Sequence, residues 1–124
     1  MTKTVVSVDI EDTVEQVEAT MNSKSLSSVP VADSSGVIFG IISLKDIEAF
    51  RTAKKNPKVV RAWELCTYKP LQAKPNDSIA EVGHLMVKNN IHHVVVTENR
   101  IVKGIVSSLD LLREYLRQDS ATAP

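Results

Sequence analysis

The chain repeats itself. VSVDIEDTVEQVEATMNSKSLSSVPVADSSGVIFGIISLKDI reads alongside LQAKPNDSIAEVGHLMVKNNIHHVVVTENRIVKGIVSSLDLL, with matched positions running in order through both. An offset of 65 pairs Asp12 with Asp77, Thr13 with Ser78, Val14 with Ile79, Val17 with Val82, Met21 with Met86 and Val31 with Val96. Beyond the next turn the offset is 64, pairing Gly40 with Gly104, Ser43 with Ser107 and Asp46 with Asp110. One residue lost between Asp33-Ser34-Ser35-Gly36 and Glu98-Asn99-Arg100 accounts for the change, and surface turns tolerate such losses. A repeat this long restricts the fold to two copies of one unit.

Each copy is readable. Asp12-Thr13 and Asp77-Ser78 open helices whose apolar residues recur at helical spacing, at Val14, Val17 and Met21 and at Ile79, Val82 and Met86. Glu15 and Glu81 sit early in these helices, where the dipole favours an anion. Two short apolar runs around a turn then predict a β-hairpin in each copy. Second helices follow over Leu44–Phe50 and Leu109–Arg117, the latter with Leu109, Leu112, Tyr115 and Leu116 as its buried face. The fold class is α+β, with two β-α-β-β-α units. A sheet of about three strands is marginal alone, so the two pack sheet to sheet with pseudo-two-fold symmetry. Ligand clefts are expected where the copies meet.

The expected boundaries are repeat 1 over 1–50 without a lead-in helix, a basic connector over 51–59, repeat 2 over 60–118 and a flexible tail over 119–124. The connector region carries Arg51, Lys54, Lys55, Lys58 and Arg61 with no acid among them, and reads as solvated. Val60–Cys66 predicts a short helix that docks Trp63 and Leu65. Fifteen basic and fifteen acidic residues leave no net charge, which disfavours nucleic acid as a partner and leaves binding through the connector a minor alternative. The single cysteine, Cys66, excludes an internal disulfide and points to packing in a reducing, cytoplasmic setting. No apolar run is long enough to span a bilayer. Paired catalytic carboxylates, a Gly-rich phosphate loop and metal-ligand spacing are all missing from the sequence, so the expectation is a binding module and not an enzyme.

The doubled unit, with Gly40-Ile-Ile-Ser-Leu-Lys-Asp46 and Gly104-Ile-Val-Ser-Ser-Leu-Asp110 closing its halves, resembles a tandem cystathionine-β-synthase (CBS) domain pair, or Bateman module. Ser28-Val-Pro-Val31 and Ile91-His-His-Val-Val-Val96 resemble the second-strand motif of that family, and Val60–Thr67 its lead-in. The resemblance implies a stand-alone sensor that binds AMP, ADP, ATP or S-adenosylmethionine between repeats. It implies no required cofactor, with Mg²⁺ an optional companion of a nucleotide. It also implies a homodimer of pairs and an effector protein yet to be named. Carried over residue by residue, it implies a site of Ser107, Ser108, Asp110, Tyr68, Lys69, Pro70, His92, His93 and Val94. A second candidate site comprises Ser43, Lys45, Asp46, Val5, Val6, Ser28, Val29 and Pro30.

The chemistry suits those residue types. A carboxylate accepts two ribose hydroxyls, a helix start offers N–H groups to phosphate, and a protonated imidazole meets phosphate well. The Ser-x-x-Asp spacing equally serves as a helix cap, worth about 1 kcal/mol. The alternative reading is therefore an interaction module whose clefts bind nothing.

Overall fold

The computed structural model describes residues 6–122, with side chains to residue 119. The first sheet contains β1 (Val8–Asp9), β2 (Ser28–Ala32), β3 (Ile38–Ser43) and β4 (Thr67–Tyr68) in that spatial order. The second contains β5 (Gln72–Ala73), β6 (His93–Glu98) and β7 (Ile101–Ser107). Helices α1 (Val14–Ser23), α2 (Leu44–Thr52) and the short α3 (Ala62–Leu65) accompany the first sheet. Helices α4 (Ile79–Asn89) and α5 (Ser108–Thr122) accompany the second. Among the described residues no helix is long and apolar enough to cross a membrane.

Helix starts follow the local sequence. Thr13 Oγ1 accepts the Gln16 N–H while the Gln16 side chain accepts the Thr13 N–H. Ser78 and Glu81 make the same reciprocal pair. Such boxes satisfy N–H groups that a helix leaves without partners. The hairpin turns differ as their lengths require. The Asp33 carboxylate accepts the Ser35 and Val37 N–H groups, and Gly36 takes φ +84°. Asn99 and Arg100 make the shorter turn with φ of 51° and 68°.

Side-chain alternation builds three cores. Val29 and Val31 turn toward the first helices, packing with Val14, Val17, Met21 and Ile42. Val94 and Val96 do the same against Val82 and Met86. The intervening positions point the other way, so Ala32, Ile38, Val95 and Val102 pack together between the sheets. This opposition is the period-2 geometry of a strand. It buries both faces of the central strands.

The pseudo-two-fold is visible in paired backbone bonds. Ile38 N–H donates to Arg100 O and Val102 N–H donates to Gly36 O, both at 2.9 Å, flanking an antiparallel bridge between Val37 and Ile101. Each bond is the counterpart of the other under the 64-residue offset. Register shifts also fall at equivalent places, between Val31 and Ala32 and between Val96 and Thr97.

Several expectations change. Leu109, Leu112, Tyr115 and Leu116 are half or more exposed, so the expected buried face of the last helix faces outward. Leu111 packs against the second core instead. The helix carries apolar residues on more than one side, and periodicity alone does not choose between them. In α3 it is Ala62 that is fully buried, while Trp63 is 48% exposed and Leu65 only partly buried. The backbone of Ala62 and Trp63 comes too close to Asp12 and Ile10 for a large inward side chain, donating to their carbonyls at 2.7 and 3.2 Å. The segment 60–68 sits with the first sheet, because Tyr68 pairs with Gly40 and Thr67 with Ile41 on β3. Helix α5 continues through Thr122, into the segment expected to be a tail.

Candidate functional site

The second motif stands at the junction of β7 and α5. Ser107 N–H donates to Asp110 Oδ2 at 2.8 Å, and Asp110 N–H donates to Ser107 Oγ at 3.1 Å. Ser108 N–H donates to the carbonyl of His92 at 2.8 Å. His93 lies opposite Ser107 in the β-ladder. Its Nε2 approaches Ser27 Oγ of the first repeat at 3.2 Å. Burial pushes the His93 pKa down, His92 adds to this and Asp110 opposes it. Ser107, Ser108, Asp110, His92 and His93 therefore form one polar group touching both repeats.

The other residues expected with them stand apart. Val94 is fully buried in the second core. Tyr68 is 59% exposed on β4, with its ring centroid 4.9 Å from that of Phe39 and the Lys69 ammonium 5.5 Å above it. Lys69 takes φ +54° and donates its N–H to Phe39 O, and Pro70 is half-buried. Among the described residues no hydrogen bond or ring contact joins Tyr68, Lys69 or Pro70 to the Ser107–Asp110 group.

The first motif is similar. Ser43 N–H and Oγ–H both donate to Asp46 Oδ2, at 2.8 and 3.1 Å. Leu44 N–H donates to Ser27 O, the counterpart of the Ser108–His92 bond. Lys45 is exposed. Burial pushes the Cys66 thiol up, and the Asp46 charge acts in the same direction. That favours a packing role for Cys66 over a nucleophilic one.

A cleft of about 230 Å³ opens between the repeats. Val6, Lys24, Leu26, Ser28 and Pro30 line one side, and Gly104 and Ile105 of β7 the other. Val6, Ser28 and Pro30 were expected in the second candidate site. Val29 is fully buried beside them, Ser43, Lys45 and Asp46 do not line the cleft, and Val5 lies outside the described residues. Lys24, Leu26, Gly104 and Ile105 were missed. Each motif was assigned to the cleft of its own repeat, whereas Gly104-Ile105 faces the second strand of the other repeat. The pseudo-symmetric position is more crowded. There His93 replaces Ser28, and Gly40 lies against Cys66, whose Sγ is 2.5 Å from where a Cβ on Gly40 would sit.

The family model for the CBS domain matches residues 1–51 and 62–117. The chain belongs to the CBS domain family. The CBS-family chain is 29% identical over 114 residues to the uncharacterized protein YlbB of Bacillus subtilis, covering 90% of this chain and 77% of that one. Among solved structures it is similar to the CBS domain pair of protein MJ0100, in complex with 5′-methylthioadenosine and S-adenosyl-L-methionine. That match has a TM-score of 0.83 and 24% identity, and covers 92% of this chain and 93% of the other. It is similar also to CBSX2 in complex with AMP, with a TM-score of 0.81, 18% identity and coverage of 93% and 90%. Both likenesses place this CBS pair in the same fold.

Proposed function

We propose that this CBS pair is a regulatory sensor for an adenosine-containing ligand such as AMP, ADP, ATP or S-adenosylmethionine, bound between its repeats. The observation that carries the reading is the cleft lined by both repeats, apolar at Leu26, Pro30 and Ile105, with Lys24 among its residues. Its volume of about 230 Å³ is below the roughly 300–1,000 Å³ of drug-sized pockets. It suits the base of such a ligand, with the remainder extending toward solvent. Lys24 favours an anionic group there. The polar group of Ser107, Asp110, His92 and His93 is the proposed second point of contact, its carboxylate accepting ribose hydroxyls. That MJ0100 and CBSX2 are seen with adenosyl compounds supports the ligand class.

A ligand transmits a signal only through unequal affinity for two states of the protein. A cleft built from two repeats makes their relative placement the natural variable. The exposed stripe of Leu109, Leu112, Tyr115 and Leu116 supports pairing of two copies through α5. The output then passes to an effector protein.

Thermal unfolding with AMP, ADP, ATP and S-adenosylmethionine, with and without Mg²⁺, tests the reading. A ligand at 100 times its dissociation constant stabilises by about 2.7 kcal/mol. Lys24→Gln is expected to weaken binding of the nucleotides more than that of S-adenosylmethionine, and Asp110→Ala to weaken both. If millimolar concentrations of all four leave the transition unmoved, the sensor reading fails. Ser107 and Asp110 are then helix caps in an interaction module.

A further inference from the structure

The internal symmetry is broken beside the cleft. In repeat 2 the ladder between β5 and β6 reaches Gln72, which pairs with Val95. The fully buried Val95 donates its N–H to Leu71 O at 3.4 Å, and Thr97 Oγ1–H donates to Gln72 Oε1 at 2.7 Å. The 65-residue offset carries Val95 to Pro30, Thr97 to Ala32, Gln72 to Ser7 and Leu71 to Val6. Neither bond can form in repeat 1, because proline has no N–H and Ala32 has no hydroxyl. The ladder between β1 and β2 accordingly stops one pair earlier, at Val8–Val31. A proline inside β2, which has a strand on each side, is unusual because it cannot donate to a ladder. Its effect falls at the cleft, where Val6 and Pro30 are both lining residues.

The pseudo-symmetric position is fastened where the cleft is not. Leu71 is tied to Val95. His93 stands where Ser28 lines the cleft, and its Nε2 reaches across to Ser27 Oγ of repeat 1 at 3.2 Å. Gly40, the counterpart of Gly104, lies against Cys66. Asn89 stands where Lys24 lines the cleft, so the lysine is lost as well.

We propose that the CBS pair takes one ligand per chain, in the cleft of Val6, Pro30 and Ile105, and that Pro30 decides between the two pseudo-symmetric positions. This rests on the sensor reading above and adds to it a stoichiometry, a position and a determinant. Pro30 leaves Val6 without the backbone bond that fastens Leu71, so a ligand can part the wall of the cleft without breaking that bond. In repeat 2 the same displacement separates Val95 from Leu71, Thr97 from Gln72 and His93 from Ser27. Each separation leaves a polar group without its partner, which opposes entry.

The test uses the full chain, isotope-labelled. Calorimetric titration with AMP, ADP, ATP and S-adenosylmethionine gives the stoichiometry, and backbone amide shifts give the position. The expected result is one ligand per chain, with saturable shifts centred on Lys24, Leu26, Gly104 and Ile105 and not on their counterparts Asn89, Ile91, Gly40 and Ile41. Pro30→Val should weaken binding by about tenfold or more. Hydrogen exchange without ligand supplies a separate measurement. The new amide at position 30 of Pro30→Val should be protected as that of Val95 is, with Val6 O as its acceptor. Two ligands per chain, shifts centred on Asn89 and Gly40, unchanged affinity in Pro30→Val or fast exchange of its new amide would each overturn the proposal and leave the sensor reading standing. Failure of all four ligands to bind at millimolar concentration would overturn both.

Discussion

Two glycines should respond to the same substitution with opposite signs. A Cβ on Gly40 would lie 2.5 Å from Cys66 Sγ and 2.7 Å from the carbonyl oxygen of Thr67. The second atom is backbone, so no rotamer change relieves it. Gly40→Ala must push β4 away from β3, where it is held by the Gly40–Tyr68 and Ile41–Thr67 pairs, the Phe39–Tyr68 ring contact and the Lys69 N–H to Phe39 O bond. Overpacking of this kind costs about 1–3 kcal/mol. On Gly83, inside α4, a Cβ would meet only Leu111 Cδ1 at 3.9 Å. Gly83→Ala then gains helix propensity, about 1 kcal/mol, with no steric cost. For a chain of this size 1 kcal/mol corresponds to roughly 4 °C in Tm. We expect a fall of about 8 °C for Gly40→Ala and a rise of about 4 °C for Gly83→Ala. Urea and thermal denaturation followed by circular dichroism read both. Trp63, the only tryptophan, reports on α3 through its fluorescence. Adding Cys66→Ala to Gly40→Ala should recover part of the loss and not all, since the Thr67 carbonyl remains. A Gly40→Ala protein within 0.5 kcal/mol of the wild type would refute the argument that close approach of β4 demands glycine here.

Three further outcomes are expected. Ser78→Ala removes the acceptor of the Glu81 N–H and should cost about 1 kcal/mol in urea denaturation, while a cost near zero would show that water replaces the cap. His93 has a folded pKa below its unfolded value of about 6.5, so the unfolded chain takes up its proton first as pH falls. Stability should therefore decline as pH drops below about 6.5 and level off beneath the folded pKa. His93→Gln should flatten that slope, and an unchanged pH profile in the variant would assign the dependence to another group. Leu112→Glu with Leu116→Glu should abolish self-association in light scattering at high micromolar concentration. A wild-type protein that is strictly monomeric there would remove the dimer.

The local chemistry was legible in the residue order. Thr13 with Gln16 and Ser78 with Glu81 close their boxes over three residues, so each helix start needs nothing distant. The single-residue difference between the hairpin turns sets the change in offset, and Gly36 and Asn99 take the positive φ that glycine and asparagine tolerate, whereas that of Arg100 is not foreshadowed by its residue type. Alternation along Val29–Ala32 and Val94–Val96 requires two opposed packing surfaces, which a second sheet supplies. The site was only partly legible. Ser28 and Pro30 could be nominated from their strand, but their facing residues Gly104 and Ile105 come from the other repeat. No spacing along the chain encodes that encounter.

Residue order alone carried the helix caps and turns, because those depend on residues within a few positions of one another, and the repeat with its family, because these are matches of residue type read along the whole chain. Tertiary structure alone decided which side of α5 meets the core, placing Leu111 inward and Leu109, Leu112 and Leu116 outward. It also decided that Ala62 rather than Trp63 fills the seat beside α1, and that β4 joins the first sheet. In each case two surfaces compete for one partner. The outcome depends on distances between atoms far apart in the chain, such as the Ala62 nitrogen and the Asp12 carbonyl at 2.7 Å.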